Sequence, residues 1–271
     1  MWQILGGCPI IGTDHIKTNI PCQDSAGSSE VIGLGQRYFI GVVSDGAGSA
    51  SNSSIGSRIV TETILAEVST FVQAADRTFT TADEWRDNIR GWIKIINQSI
   101  EIQSEHLGTS VREFAATMVL AIIGETFSVF AQIGDGCIVW EDAGILSVAF
   151  WPHQSEFLNE TSFITSNNSD NEFKDLRVLR IEQRLNRIAV MSDGIEILAL
   201  NFASQSAYPG FFNFIFKKLE ETNNLQELNQ WLDALLSSER VTCRTGDDKT
   251  VLFATRPKLG ISSTQVILNV S

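Results

Sequence analysis

The sequence of 271 residues lacks clustered cysteines, long apolar runs and an excess of basic residues. Its four cysteines lie far apart, and no cysteine or histidine grouping has the spacing of a zinc site. No stretch reaches the roughly 20 apolar residues that a membrane helix needs, and the acidic net charge repels anionic membranes, so we expect no membrane partner. The first twelve residues also lack the basic start and unbroken apolar run of a secretory signal. We therefore expect reduced thiols and a cytoplasmic location.

Positive charge is the scarcer kind in this chain. Its 32 acidic residues outnumber its 20 basic ones and give a net charge of −12. Because such a chain repels phosphate backbones, nucleic acid is excluded as a partner, and a two-metal nuclease with it. The surplus of carboxylates fits either of two roles, which composition does not separate. One is a highly soluble surface, and the other is an acidic cluster that holds divalent cations.

Apolar residues, by contrast, are plentiful enough for a large core. They make up 43% of the sequence, with 16 Phe and 6 Trp, so wholesale disorder is excluded. At roughly 150 residues per domain, the length allows one large domain or two closely packed ones. The Asn-rich and Ser-rich segment 151–175 is too short to link two domains, and we expect its residues 167–171 to be the most mobile part.

Strongly apolar strands repeatedly border an acidic turn. Four aspartates, each next to a glycine, mark these borders: Asp45 after residues 38–43, Asp135 after a hairpin that starts near residue 116, Asp193 after residues 187–191, and Asp247 before residues 250–255. Helical spacing of apolar residues predicts further helices over residues 55–68, 83–106 and 211–236, the last as two helices joined at 222–224. The chain therefore alternates between strands that end in aspartates and helices that cover them.

The four aspartates are more informative as a set than singly, since one Asp-Gly pair is an ordinary turn. Carboxylates that converge at the rim of one core raise the cost of ionising each other, and a bound cation reverses that cost. Oxygen-only ligands suit hard ions such as Mg²⁺ or Mn²⁺. Two such ions can share a carboxylate and a water, which becomes a nucleophile at neutral pH. The set therefore indicates hydrolysis of a phosphate ester.

Six short elements follow one another along the chain: Cys22-Gln23-Asp24-Ser25, Val43-Ser44-Asp45-Gly46-Ala47-Gly48, Phe114-Ala115-Ala116-Thr117, Ile133-Gly134-Asp135-Gly136, Met191-Ser192-Asp193-Gly194-Ile195 and Asp247-Asp248-Lys249-Thr250. Each is a weak signal alone, whereas the six in order and spacing are specific. Together they resemble the metal-dependent protein serine/threonine phosphatases of type 2C (PPM). The spelling DGAGSA and the segment 156–163 are similar to a bacterial subgroup of that family.

This resemblance implies an α+β fold, a four-layer α-β-β-α sandwich with two central antiparallel sheets, formed by one catalytic domain over residues 1–271. It also implies two Mg²⁺ or Mn²⁺ ions and a place for a third. The implied catalytic carboxylates are Asp45, Asp193 and Asp247, of which Asp45 would bridge both ions while Asp193 and Asp247 complete the first metal site.

Three further residues of the metal site are implied by the same resemblance. The carbonyl of Gly46 would bind one ion, and Asp24 would hold a metal-bound water. Asp135, together with Asp193, would match the place of the weaker third ion.

The sequence departs from the family pattern in its polar partners for substrate. The arginine that many members use to hold phosphate has no match, and His15 and Lys17 are the nearest basic candidates for substrate binding; a solvated loop is the alternative for both. Ala47 stands where some eukaryotic members have a histidine proposed as general acid, so a metal-bound water or another residue would protonate the leaving group.

Two hypotheses for function follow. The first is a phosphatase that hydrolyses phosphoserine and phosphothreonine in proteins through a water between two metal ions, with a cognate Ser/Thr kinase as partner. The alternative is a weakly active or inactive regulatory module of the same fold that binds a phosphorylated partner or kinase. The missing arginine and the altered element at residues 134–137 motivate the alternative, whereas retention of all acidic ligands argues against it.

Overall fold

The computed structural model describes residues 1–152, 162–166 and 173–256. Within these ranges the strands are β1 (Gln3–Gly6), β2 (Ser25–Gly33), β3 (Gln36–Ser44), β4 (Met118–Ile123), β5 (Ser128–Ile133), β6 (Cys137–Asp142), β7 (Ile145–Val148), β8 (Arg177–Ile181), β9 (Arg187–Met191), β10 (Leu200–Asn201), β11 (Ser206–Ala207) and β12 (Val251–Thr255). The α-helices are α1 (Thr13–Thr18), α2 (Ser53–Ala74), α3 (Ala82–Leu107), α4 (Glu196–Ala199), α5 (Pro209–Glu221), α6 (Leu225–Leu236) and α7 (Glu239–Thr242).

Two five-stranded antiparallel sheets form the centre of the molecule. One has the strand order β1-β12-β9-β6-β7 and the other the order β2-β3-β4-β5-β8, while β10 and β11 form a small separate pair. Helices α2 and α3 pack on the outer face of the second sheet, and α5 and α6 pack on the outer face of the first. The predicted α-β-β-α sandwich is therefore confirmed.

Strand β4 shows how the two-residue period of a strand builds two cores at once. All of its positions are buried. Its even-numbered side chains join the helix-side core with Val60 and Ile93, whereas its odd-numbered ones join Phe39 and Ile138 between the sheets. Successive side chains of a strand point to opposite faces, so a strand covered on both sides must be apolar throughout.

The long helix predicted over residues 83–106 is confirmed as α3, with one more residue at each end. Its N-cap is Thr81, whose hydroxyl accepts a hydrogen bond from the Glu84 N–H while the Glu84 side chain accepts one from the Thr81 N–H, a capping box. Its C-cap is Gly108, which has a φ of +63°. None of the helices in the described ranges combines the length and apolar composition of a bilayer span.

The predicted hairpin is confirmed as β4 and β5, which pair from Met118 with Ile133 to Ile123 with Ser128. The strand that follows, β6, does not extend this sheet but pairs with β9 in the other one. The turn at residues 134–136 therefore crosses from one sheet to the other. The predicted mobile loop 167–171 lies outside the described residues.

Candidate metal centre

Strand register brings the four aspartates to one end of the sandwich. Asp45 follows β3 and Asp193 follows β9, whereas Asp135 lies between β5 and β6 and Asp247 lies before β12. Because β9 is antiparallel to both β12 and β6, its end lies beside the starts of both neighbours. In the other sheet, the end of β3 lies beside the start of β4, which pairs with the end of β5. Residues distant in sequence thus meet at one edge of the core.

The backbone of Asp45 is fixed to the start of β4. Its N–H donates to Thr117 Oγ1 at 2.9 Å, and its carbonyl accepts from the Thr117 N–H at 2.8 Å. The next residue, Gly46, has no room for a side chain, since a Cβ there would lie 2.8 Å from the Gln23 carbonyl oxygen. Glycine therefore allows the Asp45 turn to pack directly on the segment before β2.

The turn that carries Asp135 depends on two glycines in the left-handed region. Gly134 has a φ of +88° and Gly136 a φ of +93°. The Gln132 side-chain amide donates to both of their carbonyls, at 3.1 and 2.9 Å, and Arg177 Nη2 donates to the Gly134 carbonyl at 3.2 Å. These bonds hold the crossing between the sheets in one shape and fix where the Asp135 carboxyl lies.

Asp193 begins a short 3₁₀ helix directly after β9. The preceding Ser192 donates its N–H to the Thr250 carbonyl at 3.0 Å. A Cβ on the following Gly194 would overlap the Asp248 carbonyl oxygen. The chain on both sides of Asp193 is therefore in direct contact with the segment that enters β12.

Three of the predicted ligands converge as a triad. One oxygen from each of the Asp45, Asp135 and Asp193 carboxyls lies within 4.8 Å of the other two. Burial raises the pKa of Asp45 and Asp193 well above the usual range for aspartate, and the charge of Asp247 raises both further. Asp247 therefore lies beside the triad, although its oxygens are not part of it.

Asp24 lies buried behind Asp45. Its Oδ2 accepts hydrogen bonds from Ser192 Oγ at 2.8 Å and from Thr250 Oγ1 at 2.6 Å. Burial raises the pKa of Asp24 to about 6, while a hydrogen bond with the Asp45 carboxyl lowers it. Two carboxyls in such contact need a proton or a cation between them, because two facing carboxylates repel.

The side chains in this cluster have the chemistry expected of ligands for divalent cations. The converging side chains of Asp45, Asp135 and Asp193 are all carboxyls, as is the neighbouring Asp24, and oxygen ligands of this kind suit hard divalent ions such as Mg²⁺ and Mn²⁺. Burial raises the pKa of Asp24, Asp45 and Asp193, and the neighbouring carboxylates add to this effect, so a bound cation would relieve the cost of ionising them. Gly46 also fits, since a backbone without a side chain can approach an ion closely.

Sequence reasoning missed Glu196, which follows Asp193 by three residues. Burial raises the pKa of Glu196 to about 7, and the charge of Asp135 adds to this effect. The spacing of three residues into a helix was a signal that could have placed it on the same side as Asp193. It adds a further carboxyl to the edge of the cluster.

The two predicted substrate-binding residues have different surroundings. His15 Nδ1 lies 2.9 Å from Oδ2 of Asp248, a residue that sequence reasoning treated only as part of a motif. Lys17 is largely exposed and pairs with Asp14 at 2.8 Å. The structure thus ties His15 to the segment that carries Asp247 and leaves Lys17 on the outer face of α1.

Comparison with known proteins decides the family. A family profile described as Protein phosphatase 2C matches residues 11–236, most of the chain. The chain belongs to the protein phosphatase 2C family.

Individual relatives of this phosphatase 2C chain agree with the profile. It is 31% identical to serine/threonine-protein phosphatase 3 of Escherichia coli K12, over 90% of this chain and 94% of that protein. Its fold is similar to a serine/threonine phosphatase of S. agalactiae, with 19% identity, a TM-score of 0.60 and coverage of 95% and 100% of the two chains. It is also similar to Stp1 from Staphylococcus aureus, with 16% identity, a TM-score of 0.58 and 95% of each chain covered.

Membership of the phosphatase 2C family confirms the enzyme class predicted from the sequence. The chain is a metal-dependent protein phosphatase of the serine/threonine type, a hydrolase with bacterial relatives. The alternative of a regulatory module without turnover is not favoured.

Proposed function

We propose that the carboxylate cluster holds two Mg²⁺ or Mn²⁺ ions and that the enzyme uses them to hydrolyse phosphoserine and phosphothreonine in proteins. When bound, the ions activate water for attack on phosphorus and offset the charge of the phosphoryl oxygens. In this proposal the Asp45 carboxylate and the Gly46 carbonyl would hold the ions. Asp193 and Asp247 would supply further ligands to the first metal position.

The observation that carries this proposal is the meeting of the Asp45, Asp135 and Asp193 carboxyl oxygens within 4.8 Å of one another. Each residue comes from a different strand end, so no local sequence preference explains their convergence. Asp24, buried against Asp45, would orient water near the first position. Asp135, with Asp193, supports a weaker third position.

Other parts of the proposal concern the chain and its surroundings. We propose that residues 1–271 act as a single catalytic domain, which the shared core between the two sheets supports. We also propose a cytoplasmic location and a cognate Ser/Thr kinase that produces the phosphorylated substrates. Substrate binding by His15 and Lys17 stays a prediction, and the surroundings of His15 favour it over Lys17.

The test is a calorimetric titration of Mn²⁺ beside a turnover assay on a phosphothreonine peptide. Asp45→Asn and Asp193→Asn should each lower turnover by at least about 100-fold, because each removes a charged oxygen that offsets cation charge. Asp87→Asn is the matched control, since Asp87 is exposed on α3. Turnover without any divalent ion, or unchanged turnover and Mn²⁺ affinity in both variants, would refute the proposal.

A further inference from the structure

Asp248 is a buried carboxylate whose acceptor capacity is used by the N-terminal segment. The residue is 1% exposed. Its Oδ1 accepts a hydrogen bond from the Gly12 N–H at 2.6 Å, and its Oδ2 accepts one from the Gln23 N–H at 2.6 Å. The same Oδ2 lies 2.9 Å from His15 Nδ1. The Asp248 side chain therefore contacts three residues, Gly12, His15 and Gln23, of the N-terminal segment that leads to the carboxylate cluster.

The arrangement requires a carboxylate and not an amide. Both oxygens of Asp248 face backbone N–H donors, which cannot change their role. An asparagine has one carbonyl oxygen and one NH₂ group, so its NH₂ would face either the Gly12 or the Gln23 N–H.

Two other cationic side chains near the cluster are engaged with backbone carbonyls. Lys249 is fully buried, and its Nζ donates to the Asp247 carbonyl at 2.9 Å. Arg177 donates to the carbonyls of Gly134 and Trp151, each at 3.2 Å. Both side chains therefore stabilise the backbone next to the carboxylates and use their donors there.

His15 differs from these two because one end of its ring remains open. Its Nδ1 faces Asp248, while Nε2 contacts no acceptor among the described residues, and the side chain is 14% exposed. The ring is also near the cluster: the N–H of the preceding residue, Asp14, donates to the Gly246 carbonyl at 3.0 Å, and Gly246 directly precedes Asp247. In the imidazolium form both ring nitrogens donate, so one ring can donate to Asp248 and to a phosphoryl oxygen at once.

We propose that Asp248 is a positioning residue that holds His15 at the rim of the carboxylate cluster, with Nε2 directed to the phosphoryl group of the substrate. The proposal rests on the proposed function, since it names the group that receives the substrate at that same site. His15 contributes to binding of the phosphoryl group, and Asp248 acts through His15.

Three variants and a control separate this role from a merely structural one. His15→Asn keeps an amide nitrogen near the Nδ1 position, where it can donate to Asp248, but has nothing at Nε2. His15→Gln places an amide nitrogen near the Nε2 position instead. Asp248→Asn removes the negative charge and one of the two acceptor oxygens that fix the ring and the N-terminal segment. The control is His106→Asn, because His106 is exposed in the last turn of α3.

The enzyme is assayed with an aryl phosphate and saturating Mn²⁺ at one common pH. His15→Asn should raise KM by about tenfold, as expected for loss of a charge-assisted hydrogen bond, with kcat changed by less than about threefold. His15→Gln should retain a lower KM than His15→Asn, and the control should match the wild type. Mn²⁺ affinity of His15→Asn, measured by calorimetry, should be unchanged.

A second readout does not depend on turnover. With ¹⁵N-labelled histidine and Mg²⁺ present, a titration with inorganic phosphate should move the Nε2 resonance of His15 in the wild type. In Asp248→Asn the Nδ1 resonance of His15 should shift, because its hydrogen bond to a carboxylate is lost. The variant should also bind phosphate more weakly. If Asp248→Asn does not fold, the order of the two His15 variants decides.

The outcomes are distinct. A wild type without turnover would refute the proposed function, and a phosphate titration that still moves Nε2 would support His15 as an anion-binding group. A His15→Asn variant with the KM and phosphate affinity of the wild type would overturn the inference, as would an effect confined to kcat. A lower KM for His15→Asn than for His15→Gln would mean that His15 has only a structural role.

Discussion

Gly194 lies where the chain after β9 touches the chain before β12. A Cβ at this position would overlap the Asp248 carbonyl oxygen, which belongs to backbone and cannot move aside cheaply. Gly194→Ala should therefore destabilise the protein by about 1–3 kcal/mol and displace the neighbouring Asp193. Urea unfolding and a Mn²⁺ titration measure the two effects.

The control for this variant is Gly91→Ala on α3. Gly91 is exposed, and nothing lies within 4 Å of where its Cβ would be. A helical glycine replaced by alanine should stabilise the protein by about 0.5–1 kcal/mol. If both alanine variants are equally stable, backbone contact at Gly194 is not what excludes a side chain there.

The sequence was sufficient to predict the individual site residues that directly follow or precede a strand. Asp45, Asp135 and Asp193 each interrupt an apolar pattern beside a glycine, and the structure brings their carboxyls together. Asp248 gave no such signal, because its role depends on Gly12 and Gln23, which are more than 200 residues away in sequence. A pattern read along the chain does not report hydrogen bonds across such distances.

Among the elements, α3 has the clearest local determinants. The hydroxyl of Thr81 accepts the Glu84 N–H at 3.2 Å and so satisfies one donor that the first helical turn leaves open. Thr81→Ala should lower the free energy of unfolding by about 1 kcal/mol with no change in kcat, since α3 packs on the outer face of its sheet. Thr81→Ser keeps the hydroxyl and should stay close to the wild type. Denaturant unfolding beside the turnover assay checks both, and a large loss of activity would contradict the expectation.

The elements that periodicity predicted share strong local patterns. The strand predicted over residues 187–191 is β9 with the same bounds, and the two predicted helices that cover it are α5 and α6. Periodicity could not reveal that β5 and β6 belong to different sheets, because the turn between them has the composition of a hairpin. It also missed β1, whose four residues gain strand structure by pairing with β12.

For the molecule as a whole, the buried carboxyls make stability depend on pH and on metal. Burial raises the pKa of Glu196 to about 7, above its ordinary value of 4.5. A carboxyl whose pKa is raised by folding favours the folded state below its unfolded pKa, and this contribution is lost as pH rises through the folded pKa. Asp45 and Asp193 shift in the same direction.

Without metal, the wild type should therefore lose stability relative to Glu196→Gln as pH rises from about 4.5 to 7, by up to about 3 kcal/mol. Thermal unfolding of both proteins in a chelating buffer, at several pH values, measures the difference. Saturating Mg²⁺ should reduce it in the wild type, since cations replace protons among the carboxyls. A difference in Tm that stays constant across this pH range would show that the pKa of Glu196 is the same in the folded and unfolded states.

The pairing of β1 with β12 has a consequence for synthesis on the ribosome. Strand β12 lies between β1 and β9, so the first sheet lacks an inner strand until residues 251–255 have left the exit tunnel. The hydrogen bond between Asp24 and Thr250 also cannot form before then. The same holds for the hydrogen bonds from the Gly12 and Gln23 N–H groups to Asp248. A nascent chain that stalls earlier contains the strands of the second sheet but lacks Asp247 and the contacts of Asp24 and Asp248, so we expect no phosphatase activity before these residues emerge.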